Sequence, residues 1–292
     1  MTSVLTLIAA DRLDDSTLSQ IREILPAAGE PAWLAPGKAA DIAFSGLADA
    51  EAEKRAREAL NGAPVDLVAQ AAEGRRKKLL VADMDSTMVI GETLDELAAH
   101  AGLKDQIAAI TARAMNGEID FKGALRERVG LLAGLDAGAL DDTYRHLELM
   151  PGAKALVGTM RAHGATAVLV SGGFDYFTGR VRERCGFDQD RANRLEIADG
   201  KLTGKVIEPI LDRDSKLFHL RDFAARLGLD MDQTVAVGDG ANDLDMIRAA
   251  GLGVAYHAKP VVAGEAKFRV DHTDLTALLF AQGYTQAEFA AT

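Results

Sequence analysis

The chain has a single cysteine, Cys185. No intrachain disulfide can form, and nothing in the sequence exploits an oxidising compartment. No stretch of about 18 consecutive apolar residues occurs, so no membrane span is expected. The apolar Val4–Ala10 is short and follows no basic segment, so no signal peptide is expected either. Basic residues are in deficit: 33 Lys and Arg against 44 Asp and Glu give a formal charge of −11. General nucleic-acid binders draw most of their affinity from positive charge, and this balance opposes that class. The run Arg75-Arg76-Lys77-Lys78 is the local exception and reads as a solvated lead-in to a strand. The six histidines, His100, His146, His163, His219, His257 and His272, show no zinc-binding spacing. Internal repeats and low-complexity tracts are absent. What remains is a soluble, cytoplasmic protein with neither nucleic acid nor membrane as partner. Its 292 residues, 48% of them hydrophobic, suffice for one large or two moderate domains with a substantial core.

Residues 1–72 form a separate stretch. Ser3–Ala10 reads as a strand, Ser16–Ala28 as a helix with Ser16 or Asp15 as N-cap, and Lys38–Ser45 as a second strand. Asp49–Leu60 is a charged helix and Val65–Ala69 a last short strand. This β-α-β-α-β order suits a small α+β module with helices covering one sheet face. The polar Gln70–Lys78 serves as a linker. From residue 77 to 292 the pattern is α/β, strands alternating with helices, which implies a Rossmann-like parallel sheet. One long interruption follows the first strand: Glu92–Ala101, Lys104–Asn116, Asp120–Leu132 and Asp136–Leu149 carry helical spacing. Four helices are too long for a simple crossover, so about 88–150 is expected to be a cap over the strand ends. Arg194–Ile207 flanks Asp199-Gly200, a hairpin signal.

Leu79-Leu80-Val81-Ala82 has the continuous apolar character of a strand buried on both faces. It ends in Asp83-Met84-Asp85-Ser86-Thr87. If the extended backbone persists through Met84, both acids fall on one side, beyond the carboxyl end of a central strand, where open α/β sheets bind ligands. Alone, the pair equally suits a strand-end turn. Two further strands end in polar turns, at Ser171-Gly172-Gly173 and at Gly238-Asp239-Gly240-Ala241-Asn242-Asp243. In a parallel sheet all three gather on one edge. Asp83 and Asp85 beside Asp239 and Asp243 then make an oxygen-rich pocket of the kind that suits magnesium. The second turn alone equally fits a Gly/Asn turn or part of a calcium loop. A dinucleotide fingerprint fails because Asp243 replaces its last glycine, and a serine-hydrolase elbow fails at Leu169. Lys216, early in the helix Asp214–Leu227, is the candidate to balance Asp83 and contact phosphate oxygens. The Ser171 hydroxyl and the Gly172 N–H offer neutral donors for the same oxygens.

The ordered set resembles the haloacid dehalogenase superfamily of aspartate-nucleophile phosphohydrolases, with DxDxT at Asp83, Asp85 and Thr87, a strand-terminal Ser171, Lys216, and GDxxxD at Gly238, Asp239 and Asp243. The resemblance covers about residues 77–285. It implies that Asp83 attacks phosphorus, that Asp85 moves protons, and that Mg2+ is held by Asp83, the Asp85 backbone carbonyl and Asp239. Asp243 would orient a water on the metal or hold Lys216. Residues 1–72 look like amino-acid-binding regulatory domains of the ACT type, without a ligand motif; docking or dimerisation, a homodimer included, is the plainer role.

Glu92 and Arg128 suggest the substrate, since a carboxylate takes an ammonium and a guanidinium fork takes a carboxylate. With Met115, Phe121, Ser171, Gly172, Gly173 and Asn242 they are similar to the branch of the family that acts on a phosphorylated amino acid. Hydrolysis of O-phospho-L-serine, the last step of serine synthesis, is implied, with phosphohomoserine as an alternative substrate. In that branch Glu92 and Arg128 would grip the amino-acid end, and Met115 and Phe121 would form an apolar cover. From a different class, the chain would be an amino-acid sensor with residues 1–72 as receptor.

Overall fold

The computed structural model describes residues 2–115 and 118–291, with only the backbone of Met115. Asn116, the expected end of the second inserted helix, lies outside the described residues.

Strand β1 (Ser3–Ala9) obeys the two-residue period of a strand. Leu5, Leu7 and Ala9 enter one core while Ile8 enters another. With α1 (Asp15–Ile24), β2 (Ala32–Ala35), β3 (Ala39–Phe44), α2 (Asp49–Leu60) and β4 (Val65–Ala71) it builds an antiparallel sheet of order β2-β3-β1-β4. Leu5, Leu7, Ile42 and Leu67 pack under Leu18 and Ile21 of α1 and Ala52 and Ala56 of α2.

Two details differ from expectation. The N-cap of α1 is Asp14, whose carboxylate accepts the Thr17 N–H at 2.8 Å. Ser16 instead donates its hydroxyl to that carboxylate, and Asp15 is already helical. The order is β-α-β-β-α-β, because β2 was hidden between Pro31 and Pro36. Four residues without a β-branched side chain carry little strand signal, and flanking prolines are tolerated only at a sheet edge.

The second face of this sheet is polar and buried. Thr6 donates to Asp41 at 2.6 Å, and Arg75 reaches the other Asp41 oxygen at 2.5 Å. Gln70 donates to the Ala281 carbonyl. Asp66 accepts the backbone N–H groups of Asp271, His272 and Thr273 and the Thr273 hydroxyl. The expected solvated basic run is borne out in part: Arg76 and Lys78 are exposed, whereas Arg75 is half-buried and Lys77 buried. Arg76 lies over the Tyr284 ring and pairs with Glu288, and the buried Lys77 ammonium donates to the Gly74 and Asp232 carbonyls. Buried polar groups require partners; Arg75 supplies one to Asp41, and residues 271–273 supply those of Asp66. Asp66→Ala strands three N–H groups and a hydroxyl. It is expected to lower unfolding free energy by about 3 kcal/mol, read from the midpoint of urea unfolding.

The remaining elements are β5 (Leu79–Ala82), α3 (Thr93–His100), α4 (Lys104–Met115), α5 (Phe121–Gly130), α6 (Gly138–Arg145), α7 (Ala153–Ala162), β6 (Thr166–Phe174), α8 (Asp175–Cys185), β7 (Gln189–Ala198), β8 (Lys201–Ile207), α9 (Arg213–Arg226), β9 (Thr234–Gly238), α10 (Leu244–Ala249), β10 (Leu252–Tyr256), α11 (Pro260–Ala263), β11 (Phe268–Val270) and α12 (Ala277–Ala281). The seven strands are ordered β11-β10-β9-β5-β6-β7-β8, parallel except for the β7–β8 hairpin. Asp199 and Gly200 turn that hairpin, both with positive φ, as a two-residue primed turn requires.

β5 sits between β9 and β6, with Ala82 in register with Val237 and Leu169. Leu79 and Val81 face Leu220, Phe223 and Ala224 of α9, whereas Leu80 and Ala82 face the larger core. Asp83 keeps the parity of Val81 and so emerges on the α9 side. Helices α3–α6 fall between β5 and β6. Hydrogen bonds from Gly134 to Leu202, from Ala137 to Gly200 and from Leu202 to Leu135 tie them to the hairpin. Among the described residues no helix is long and apolar enough to cross a membrane.

Candidate functional site

The ladder runs one residue past β5, the Asp83 N–H donating to the Val237 carbonyl at 3.0 Å. Met84 then turns into the core, fully buried, and the acids on either side of it face the sheet edge. Helix α9 begins after Asp212, whose carboxylate and Ser215 form a capping box, and this start brings Lys216 to the same edge. Its ammonium lies 2.8 Å from Asp83 and 2.6 Å from Asp243. All three are buried. Gly238 lets β9 end against Asp243, since a Cβ there would lie 2.3 Å from the Asp243 Cγ.

Burial works against the Lys216 ammonium, but Asp243 and Asp83 outweigh it and hold the group charged, with a pKa above the usual lysine range. Burial and then Asp243 push the Asp83 carboxyl upward, with Lys216 as the main opposing pull. Asp85 is lifted to about 7, by burial first and Glu92 second, against the Thr93 N–H. Asp239 rises to about 6 through burial, Asp243 and Glu92, and accepts the Thr87 hydroxyl at 3.2 Å.

Oxygens of Asp83, Asp239 and Asp243 all lie within 4.8 Å of one another. Three hard oxygen donors against a single lysine leave a negative surplus, and this donor set fits a hard divalent cation. The Asp85 side chain stands outside that group.

Ser171 closes the other flank. The Gly173 N–H donates to its Oγ at 2.9 Å, which leaves the hydroxyl proton free to be donated. Gly173 is held close to the acid, since a Cβ there would lie 2.8 Å from Asp85 Oδ2 and 3.1 Å from Ser171 Oγ. The Gly172 carbonyl accepts from Asn193, a residue that the sequence did not single out. Asn193, buried in β7, bonds through Nδ2 to the Gly172 carbonyl at 2.8 Å and accepts the Leu211 N–H at 2.7 Å. It thereby couples the Ser171 turn to the segment leading into α9. It stands just before the expected Arg194–Ile207 hairpin, in the part of β7 that no sequence signal marked.

Phe121, at the start of α5, covers this turn: its ring would lie 3.3 Å from a Cβ at Gly172. The Met115 side chain lies outside the described residues. Glu92 accepts the Ser86 hydroxyl at 2.8 Å and acts electrostatically on Asp85, Asp239 and Arg128. Ser86, also missed, occupies a left-handed conformation at φ 55°. Arg128 is half-buried, its pKa lowered by burial and sustained by Asp95 and Glu92. Asn242 is half-buried, its Oδ1 2.3 Å from where a Cβ on Gly240 would lie. The structure thus brings together Asp83, Asp85, Ser171, Gly172, Gly173, Lys216, Asp239 and Asp243, with Glu92 beside them and Arg128 sharing Glu92.

Fold and site together define an α/β protein with an acidic, lysine-braced pocket at the carboxyl edge of a parallel sheet. Residues 80–248 match haloacid dehalogenase-like hydrolases. The chain belongs to that family. It is 46% identical over 230 residues to a phosphoserine phosphatase of Streptomyces coelicolor, a match taking in 79% of this chain and 56% of that protein. The chain spans about half the length of the first curated relatives it matches. A HAD family hydrolase from Salmonella enterica serovar Typhi superposes with a TM-score of 0.88 at 30% identity, over 98% of both chains. A phosphoserine phosphatase captured as a phospho-aspartyl intermediate analogue gives 0.65 at 38% identity, over 70% of this chain and 98% of that one.

Proposed function

We propose that the chain is a magnesium-dependent phosphatase that hydrolyses O-phospho-L-serine to L-serine and phosphate in the cytoplasm, as the last step of serine synthesis. The observation that carries the reading is Asp83 held at 2.8 Å by the Lys216 ammonium, beside an Asp85 carboxyl lifted to about 7. The S. coelicolor relative and the phospho-aspartyl analogue support the choice of substrate and nucleophile.

Asp83 attacks phosphorus as the serine oxygen–phosphorus bond breaks, and Asp85 gives its proton to the departing oxygen. An aspartyl-phosphate remains, and one slow hydrolysis becomes two easier steps. Asp85, now a carboxylate, takes a proton from water as that water attacks the same phosphorus, and the Asp83 carboxylate is restored. A carboxyl with a pKa near the working pH suits both roles. Lys216 and the Ser171 hydroxyl hold the phosphoryl oxygens, with the Gly172 and Gly173 backbone and Asn242 lining the same pocket. Asp83, the Asp85 backbone carbonyl and Asp239 would hold Mg2+, with Asp243 bracing Lys216. When bound, the ion neutralises charge between nucleophile and phosphate.

Residues 88–150 act as a helical cap that excludes water, with Met115 and Phe121 as its apolar cover, Glu92 for the substrate ammonium and Arg128 for its carboxylate. Residues 77–292 form the catalytic domain. Residues 1–72 form an ACT-like regulatory or dimerisation module through which two chains pair.

Phosphate release from a panel of small phosphorylated metabolites, with and without Mg2+, tests the reading. Phosphoserine is expected to lead the panel only with the ion present, and preference for another ester contradicts it. Arg128→Ala is expected to raise KM for phosphoserine about 100-fold while sparing p-nitrophenyl phosphate, which has no carboxylate to grip. Equal losses on both contradict the clamp.

A further inference from the structure

Thr93 is the first residue of α3, the first of the helices inserted after β5. Its backbone N–H belongs to the first-turn donors that a helix cannot satisfy internally. It is given to Asp85 Oδ1 at 3.0 Å. The side chain is fully buried, and its hydroxyl has no hydrogen-bond partner among the described residues. Buried polar atoms without partners are rare and call for a reason. Both polar groups of Thr93 act on the acid: the N–H through its hydrogen bond, and the hydroxyl as a weaker pull on the same carboxyl.

That bond gives Asp85 an asymmetry. Oδ1 is engaged, while Oδ2 lies against Gly173. A carboxyl free to rotate presents its proton in many directions, whereas one pinned by a single oxygen presents it in one. The preceding residue adds a link: Glu92, bonded to Ser86, is joined to Thr93 by one planar peptide. The group read above as the substrate's ammonium acceptor and the donor that aims the acid thus stand on adjacent residues at the start of α3.

We propose that Thr93 is the positioning residue of proton transfer: its N–H pins Asp85 Oδ1 so that Oδ2 faces the leaving oxygen, and its place on α3 makes this aim depend on how the inserted helices sit against the sheet. The inference rests on the role given to Asp85 above. It deepens that role, because the donor that aims the acid stands next in the chain to Glu92, which would seat the amino-acid end.

Proline is well tolerated at the first helical position. Glu92, at φ −112° and ψ 114°, already has the extended backbone that a residue before proline needs. Thr93→Pro therefore removes the N–H, and the hydroxyl with it, at little backbone strain, and Thr93→Val, which keeps the N–H alone, separates the two. Two rates are compared with Mg2+ present: single-turnover serine release from phosphoserine, and the first burst of p-nitrophenolate from p-nitrophenyl phosphate, whose leaving group needs no proton. Serine release is expected to fall about 100-fold, and the aryl burst at least about tenfold less than that. In the Asp85→Asn background Thr93→Pro is expected to cost under about threefold more, because a residue acting through Asp85 has nothing left to aim. Thr93→Ser, which keeps both donors, is expected to stay within about threefold of wild type on phosphoserine.

Equal losses on the two substrates, or a full additional loss in the Asp85→Asn background, overturn the proposal. Should Thr93→Pro not fold, hydrogen exchange at the Thr93 amide decides. Protection at least about tenfold greater in the native chain than in Asp85→Ala supports the bond, and equal protection overturns it. A wild-type chain that releases no serine from phosphoserine overturns the substrate reading instead, and is told apart because it fails before any Thr93 variant is compared.

Discussion

Asp83→Asn is expected to reduce serine release from phosphoserine by at least about 10⁴-fold, the scale on which removing a covalent nucleophile acts. The substitution conserves shape, and the amide oxygen still accepts from Lys216. It removes the one charge able to attack phosphorus at that position. Because burial and Asp243 already disfavour the Asp83 carboxylate, exchanging it for a neutral group relieves a desolvation cost. Stability is therefore expected to stay within about 1 kcal/mol of wild type, read from urea unfolding beside the kinetics. A variant that folds as well as wild type and turns over as fast contradicts the assignment of Asp83.

Lys216→Ala is expected to damage both properties. Asp83 and Asp243 would face each other in a buried site without their shared ammonium. Removing one member of a buried ion pair costs about 3–5 kcal/mol, and loss of a preorganised cation at the phosphoryl oxygens lowers turnover by about 10²–10³. The pH dependence has a definite sign. The folded-state pKa of Asp83 lies above its unfolded value, so the native chain binds this proton more tightly and loses stability as pH rises above about 4. Lys216 opposes that loss. Without it the loss deepens, so in metal-free buffer the stability gap between wild type and variant is expected to be widest near neutral pH. It should narrow as acid protonates Asp83. A gap that widens on acidification contradicts this account.

Much of this site could be read in the sequence, because its parts sit where strand parity and strand ends place them. The apolar run of β5, the two acids two residues apart, and the polar turns after β6 and β9 are local signals, and a parallel sheet can gather such turns only at one edge. Lys216 was legible through its place after a helix-starting Asp-Arg-Asp-Ser segment. What stayed hidden depends on contacts that a linear pattern does not carry. Asn193 and Asp66 stand among other polar residues of β7 and β4, indistinguishable from solvent-facing ones until their partners at Gly172, Leu211 and residues 271–273 are in place. Arg75 and Lys77 read as part of a solvated run because charge predicts exposure, yet Arg75 pairs with the buried Asp41 and Lys77 with the Gly74 and Asp232 carbonyls. Thr93 acts through a backbone N–H, which every residue but proline possesses, so no residue type announces it.

The proposed function requires that a phosphoryl group be carried, for a moment, on Asp83. Acid-quenched turnover of radiolabelled phosphoserine, followed by peptide mapping, tests this most directly. The account predicts label on the peptide containing Asp83, released by hydroxylamine as an acyl phosphate must be, and absent from Asp83→Asn. Serine and phosphate released in full with no covalent label, or label that persists in Asp83→Asn, would contradict it.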